Sequence, residues 1–118
     1  MASISAALHD LLAERDLPVE EALTRHFTDG YRQSTNGDWI DREAFAEQIG
    51  QLRAFLLTVQ LDVIDELQQG SAYAERHVIR ATQADGAALG QEVFVFARVA
   101  DDGRFDSLEE LVRPLTPA

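Results

Sequence analysis

Residues 90–113 read GQEVFVFARVADDGRFDSLEELVR, two extended runs on either side of the turn Ala100-Asp101-Asp102-Gly103. Each run is about ten residues, longer than the usual strand of roughly five or six. The first is β-branched and aromatic at Val93, Phe94, Val95, Phe96 and Val99, which suits a pleated, half-buried surface. Side chains alternate across a strand. Val93, Val95, Ala97 and Val99 therefore share one face, and Phe94, Phe96 and Arg98 the other. Both faces are apolar, so both need cover: helices on one side, a partner subunit on the other. The second run carries adjacent acids, Glu109 and Glu110. Alternation sends one of them inward, where a carboxyl group is the natural acid or base of a pocket.

Upstream, residues 58–68 and 72–83 alternate as two more strands, separated by Gln69-Gly70-Ser71 and closed by Ala84-Asp85-Gly86. The part before Leu57 is mainly helical. Ile4, Ala7, Leu8, Leu11 and Leu12 recur at helical spacing. Pro18 suits the first turn of a second helix, whose apolar stripe is Val19, Ala22, Leu23, His26 and Phe27. Thr28-Asp29-Gly30 ends it, with Gly30 as a left-handed cap. A short strand over 31–35 closes at the Asn36-Gly37-Asp38 turn signal. Asp41 is the N-cap of a third helix with Glu43 in its first turn, burying Phe45, Ile49, Leu52 and Phe55 or Leu56. Helices followed by sequential strands indicate α+β, with helices packed on one face of a mainly antiparallel sheet.

The chain has 118 residues, enough for a single domain over 1–118 with one core. A net charge of −11, with 21 acids against 10 scattered bases, excludes a nucleic-acid-binding surface. No apolar run reaches the roughly 18 residues of a membrane span. Acids within MASISAALHDLLAERD break the pattern of a signal peptide, and the expected location is cytoplasmic. Zero cysteines exclude disulfides, thiol nucleophiles and sulfur-ligated zinc. His9, His26 and His77 have no metal-ligand spacing, so no metal and no cofactor is expected.

The element order resembles the nuclear transport factor 2-like superfamily, in its polyketide-cyclase and ketosteroid-isomerase branch. The resemblance rests on Phe27-Thr28-Asp29-Gly30-Tyr31-Arg32-Gln33, on Arg76 in the middle strand, and on Asp102-Gly103-Arg104-Phe105 opening the last strand. It covers residues 19–113. It implies a curved sheet wrapping helices into a cone, an internal pocket, and a homodimer through the outer sheet face. It also implies which known mechanisms are broken. Thr35 stands where the isomerases carry a catalytic Asp, and Val95 where they carry a second acid. The related epoxide hydrolases use an Arg and an Asp on the middle strand and an Asp on the last. Here Arg76 and Glu110 occupy two of those places and Val78 the third. Ser34 stands near the His of the polyketide cyclases.

Within such a cone Glu110 is the inward acid, Glu109 the outward one, and Arg76 its partner. Glu110 and Arg76 are the candidate catalytic pair, the Arg holding the carboxylate ionised against desolvation. His77, adjacent to Arg76, is then turned to the other side. Tyr31, Gln33 and Thr35 share a face and offer hydroxyls and an amide to a ligand. Trp39 and His26 complete the candidate ligand-binding set as pocket mouth and pocket wall. The function expected is binding of a small hydrophobic metabolite, extending to a cofactor-free isomerase, cyclase or hydrolase. The alternative is a non-catalytic homodimeric binding or association module.

Overall fold

The computed structural model describes residues 2–115. A short helix α1 (Ile4–Leu8) continues into a π-helical turn, His9–Ala13. Helices α2 (Val19–His26) and α3 (Arg42–Phe55) flank strands β1 (Phe27–Thr35) and β2 (Asp38–Asp41). Four long strands follow: β3 (Leu56–Gln69), β4 (Ala72–Gln83), β5 (Ala88–Val99) and β6 (Phe105–Pro114). Among the described residues they form one sheet in the order β2-β1-β6-β5-β4-β3. Every neighbour is antiparallel except β1 with β6, which run parallel.

Local chemistry explains the element ends. Ser3 Oγ accepts from the Ala6 amide at the start of α1, and Asp41 accepts from the Ala44 amide at the start of α3, each satisfying a first-turn N–H. In α2, Glu20 and Glu21 lie in the first turn and Arg25 and His26 in the last, which suits the helix dipole. Asn36 and Gly37, with φ of 51° and 94°, make the tight turn between β1 and β2, both in the left-handed region that such a hairpin requires. The four-residue β2 runs from the expected turn residue Asp38 to the expected cap Asp41, where the sequence reading had no strand.

One expected boundary is corrected. Gly30 does not cap α2. The helix stops at His26, Phe27 is already extended, and Thr28-Asp29-Gly30 runs inside β1. Phe27 is drawn into the core by an aromatic cluster with ring centroids 4.5 Å from Tyr31, 5.4 Å from Phe45 and 5.9 Å from Phe105. A register shift between Phe27 and Arg32 absorbs the mismatch with β6.

Further register shifts lie within β3 and between β5 and β6. Bulges bend a strand and increase its twist, and here they wrap the sheet around the helices. The core fills the concave side. Ala7, Leu11, Leu12, Leu23, Phe45 and Ile49 from the helices meet Tyr31, Tyr73, Val93, Val95, Ala97 and Phe105 from the sheet. No helix among the described residues is long and apolar enough to cross a membrane.

Replacing the α3 cap tests the local account. Asp41→Ala is expected to lower stability by about 1 kcal/mol. Urea unfolding should show a lower midpoint at an unchanged slope.

Candidate functional site

Between the helices and the concave sheet face lies a cavity of about 320 Å³, at the lower end of the roughly 300–1,000 Å³ typical of small-molecule sites. Its roof is apolar, from Ile4, Ala7, Leu8 and Leu12 of the N-terminal segment and Ile49 and Leu52 of α3. Gln48 is the polar exception there. The floor comes from the strands: Tyr31, Gln33 and Thr35 of β1, His77 and Ile79 of β4, Gln91, Val93 and Val95 of β5, and Leu108, Glu110 and Val112 of β6. Among the described residues no Lys or Arg lines it.

The polar groups of the floor are organised in pairs. Thr35 Oγ1 donates to Glu110 Oε1 at 2.8 Å. This contact follows from the parallel pairing that sets Thr35 opposite Glu110. The buried Tyr31 hydroxyl donates to Gln33 Oε1, also at 2.8 Å. On β4, His77 Nδ1 lies 2.6 Å from Glu75 Oε1, and both side chains are almost wholly buried. No group of three or more His, Asp or Glu among the described residues is arranged to hold a metal ion.

Of the seven candidate site residues, four line the cavity together: Tyr31, Gln33, Thr35 and Glu110. Arg76 does not join them. It lies on the convex face, 3.0 Å from Asp65 across the β3–β4 pairing, with its guanidinium 5.8 Å from the Phe94 ring. Tyr73 sets this parity. Its ring is fully buried against Phe105, with centroids 5.1 Å apart, and its hydroxyl accepts the Ile4 amide and donates to Glu66. Counting by twos from Tyr73 brings Glu75, His77 and Ile79 inward and sends Arg76 out. The expected Glu110–Arg76 pair is therefore replaced by a cavity that holds Glu110 and His77.

Trp39 and His26 also lie elsewhere. Trp39 is 45% exposed on the outer side, under the Arg32 guanidinium at 4.5 Å. It shares a shallow groove with Phe94, Phe96 and Leu111. His26 Nε2 binds Asp10 Oδ2 at 2.6 Å, fastening α2 to the π-helical turn. That hydrogen bond, joined by Arg25 at 3.2 Å, holds the Asp10 carboxyl below its usual value. The sequence reading turned His77 to the other side of the sheet and passed over Glu75, although the aromatic anchor at Tyr73 carries the signal that places both.

Solved structures share this arrangement of helices and strands. A protein of unknown function from an Exiguobacterium species, described as nuclear transport factor 2-like, superposes with a TM-score of 0.72 at 18% identity, covering 97% of this chain and 98% of that one. IdmH, a proposed polyketide cyclase from Streptomyces antibioticus, gives a TM-score of 0.72 at 20% identity, over 92% of this chain and 88% of its own. The fold is nuclear transport factor 2-like. A protein from Catenulispora acidiphila with a ketosteroid isomerase-like fold, solved in complex with trimethylamine, adds a TM-score of 0.69 at 12% identity, over 93% of this chain and 85% of that one. No protein-family model and no curated protein matches the sequence itself.

In this nuclear transport factor 2-like cone the electrostatics of the floor follow from desolvation. Burial pushes the Glu110 carboxyl above its ordinary 4.5, and the nearby Glu75 adds to the rise. The Thr35 hydrogen bond pulls it back, as does the His77 ring whenever it carries a second proton. Burial, then the charge of Glu110, raise the Tyr31 hydroxyl well above 10, so it remains a neutral donor. A hydroxyl donating to the ionised carboxylate favours that form, whereas an apolar wall favours the protonated one.

Because folding raises the Glu110 pKa, the folded chain holds that proton to a higher pH than the unfolded chain. The associated stability is complete below the unfolded value and is lost as pH rises through the folded one. Glu110→Gln removes this contribution. The stability difference between wild type and Glu110→Gln should therefore fall as pH climbs above 4.5. Thr35→Val, which deletes a hydrogen bond to the carboxylate, should move the carboxyl titration upward in carbon-detected NMR. A pH-independent difference, or a downward move, contradicts the assignment.

Proposed function

We infer that the cavity takes up a small, uncharged, predominantly apolar molecule and that Glu110 is its acid/base group. This is the frame of an isomerase, cyclase or hydrolase that works without a cofactor. The observation that carries the reading is the desolvated Glu110 carboxyl on the polar floor of an otherwise apolar cavity. A buried carboxyl in an apolar setting is tuned for proton transfer nearer neutrality. The absence of Lys and Arg from the lining disfavours carboxylate and phosphate ligands, which would be stripped of water without a counter-charge. The likeness to a proposed polyketide cyclase and to a ketosteroid isomerase-like protein agrees with a ligand of this kind.

Amide-detected NMR with a matched pair, naphthol and naphthoate, tests the ligand class. Naphthol should shift the resonances of Gln33, Thr35, Val93 and Val95, and naphthoate should leave them in place. Shifts confined to the outer face, or a preference for the anion, would sink the reading.

A second reading rests on the convex face, where Phe94, Phe96 and Leu111 are 44%, 48% and 64% exposed. They adjoin one another on β5 and β6 as one apolar patch, and Trp39 of β2 borders the same groove beyond Ser34 of β1 and Glu109 of β6. Isolated exposed apolar residues are ordinary, whereas a contiguous strip marks an interaction surface. A second copy of the chain is the occupant we favour, giving a homodimer through the outer sheet face. This serves equally a non-catalytic binding or association module. Sedimentation at micromolar concentration should return twice the chain mass, and Phe96→Glu should return the single mass. A single mass for the wild type refutes the dimer.

A further inference from the structure

We propose that His77, held in place by Glu75, is the general base of the cavity, and that Glu110 works opposite it as the proton donor. The proposal rests on the reading of the cavity as an acid/base site and assigns the two halves of the proton transfer.

The geometry of β4 carries it. Glu75 is taken as the ionised partner: such a carboxylate only accepts hydrogen bonds, so across the 2.6 Å contact between His77 Nδ1 and Glu75 Oε1 the ring hydrogen is assigned to Nδ1. Nε2 is then the nitrogen left with a lone pair, on a ring that lines the cavity. Orientation of an imidazole through its far nitrogen is the usual way to fix its tautomer. Glu75 is 4% exposed, and its Oε2 has no hydrogen-bond partner among the described residues. A buried carboxylate with only one donor is costly. A purely structural role would be served better by an apolar residue in that place. As His77 takes up a proton, the imidazolium supplies the opposite charge that this carboxylate lacks, so Glu75 favours the protonated product of the base step.

Register sets the working distance. Val95 pairs with Glu75 on one side and with Glu110 on the other, and Val93 pairs with His77 and with Val112. The two functional groups thus rise from strands β4 and β6 with an apolar strip of β5 between them. Two strand spacings are roughly 10 Å between backbones, and the two-residue stagger from Val93 to Val95 adds about 7 Å along the strands; the cavity lies over this interval. Thr35 occupies Glu110 Oε1, leaving Oε2 to carry the proton. A molecule lying on Val93 and Val95 therefore meets a base at one edge and an acid at the other. The substrate class is a neutral carbon acid, with an activated C–H toward His77 and an oxygen that gains negative charge toward Glu110. His77 Nε2 takes the proton as the C–H pair moves into the substrate, and Glu110 gives its proton to the oxygen. The two residues exchange protons through product and solvent to reset.

Nitrobenzisoxazole is a probe for this arrangement, being neutral, bicyclic and coloured on reaction. A base removes its ring C–H proton, the electron pair closes a nitrile, the N–O bond breaks, and the resulting phenoxide takes up the donor's proton. The wild type should accelerate the reaction over buffer. His77→Gln should lose about 10²-fold in kcat/KM, and Glu110→Gln should lose less. Imidazole added to His77→Ala should restore part of the rate. Nitrogen-detected NMR of the wild type should show hydrogen on Nδ1 of His77 and none on Nε2, and Glu75→Gln should disturb that tautomer together with kcat while leaving KM. Hydrogen on Nε2 in the wild type overturns the proposal even if the variants fail to fold. So does an unchanged rate in His77→Gln alongside a lost rate in Glu110→Gln, which leaves the acid/base reading of Glu110 standing. Cavity binding of the probe without acceleration overturns the proposal alone. Absence of both binding and acceleration removes the cavity reading as well.

Discussion

Three main-chain carbonyls of the N-terminal segment, those of Asp10, Leu11 and Leu17, converge on the guanidinium of Arg53 in α3, at 3.0, 2.6 and 2.6 Å. Arg15 returns the contact by donating to the carbonyls of Arg53 and Leu56. Carbonyls at the end of a helical segment have no partner within it, and a planar guanidinium with five N–H groups can serve several at once. This clamp fixes α1 and the π-helical turn over the sheet. Ile4, Ala7, Leu8 and Leu12 are then the roof of the cavity, and that roof removes water from Glu110. The raised pKa of Glu110, the neutrality of Tyr31 and the burial of the Glu75–His77 pair all depend on it. The chemistry of the floor is thus a property of a helix that contributes no polar side chain to the cavity.

The floor combines two opposed demands. Carboxylates in an apolar setting are expensive, yet two of them, Glu75 and Glu110, face inward from strands separated only by β5. Each is offset by a different device. Glu75 has an imidazole at 2.6 Å, and Glu110 has a hydroxyl at 2.8 Å with protonation made easier by burial. The charge of Glu75 adds to the rise that burial gives Glu110, so the carboxyl that lines the cavity holds its proton more firmly.

The elements of the fold were legible in the sequence where periodicity and turn chemistry agreed. Val93, Val95 and Ala97 announced the inner face of β5, and Asp41 the start of α3. The site was legible only in part, and the reason is parity. Counted by twos from the buried Phe105, Glu109 would face inward. A register shift between the Arg98–Ser107 and Val99–Phe105 pairs makes Leu108 and Glu110 the inward residues instead. Nothing in Asp106-Ser107 marks that shift. Glu110 was nevertheless the acid expected to face inward, and it does; on β4 the parity was misread. Arg76 drew attention as a catalytic type, while Tyr73, an aromatic anchor three residues earlier, decided the faces and turned His77 inward. Single charged residues say little about direction; the apolar residues around them say much more. The left-handed cap expected at Gly30 failed for the same reason, because the pull of Phe27 into the aromatic cluster outweighed a glycine's local preference.

The parallel pairing of β1 with β6 has a consequence for the order of assembly. Thr35 and Glu110 are 75 residues apart in the chain, and the Asn36 amide closes on the Glu110 carbonyl at 2.9 Å from the same turn. Contacts of such separation form late, after the loop between them has been gathered by local pairing. The β3–β4 and β4–β5 hairpins can form as the chain is made, but β1 has only the short β2 beside it until β6 arrives. Strand β6 follows β3, β4 and β5 in the chain and is the one that brings Glu110 to Thr35, so a growing chain has no finished site until β6 has emerged.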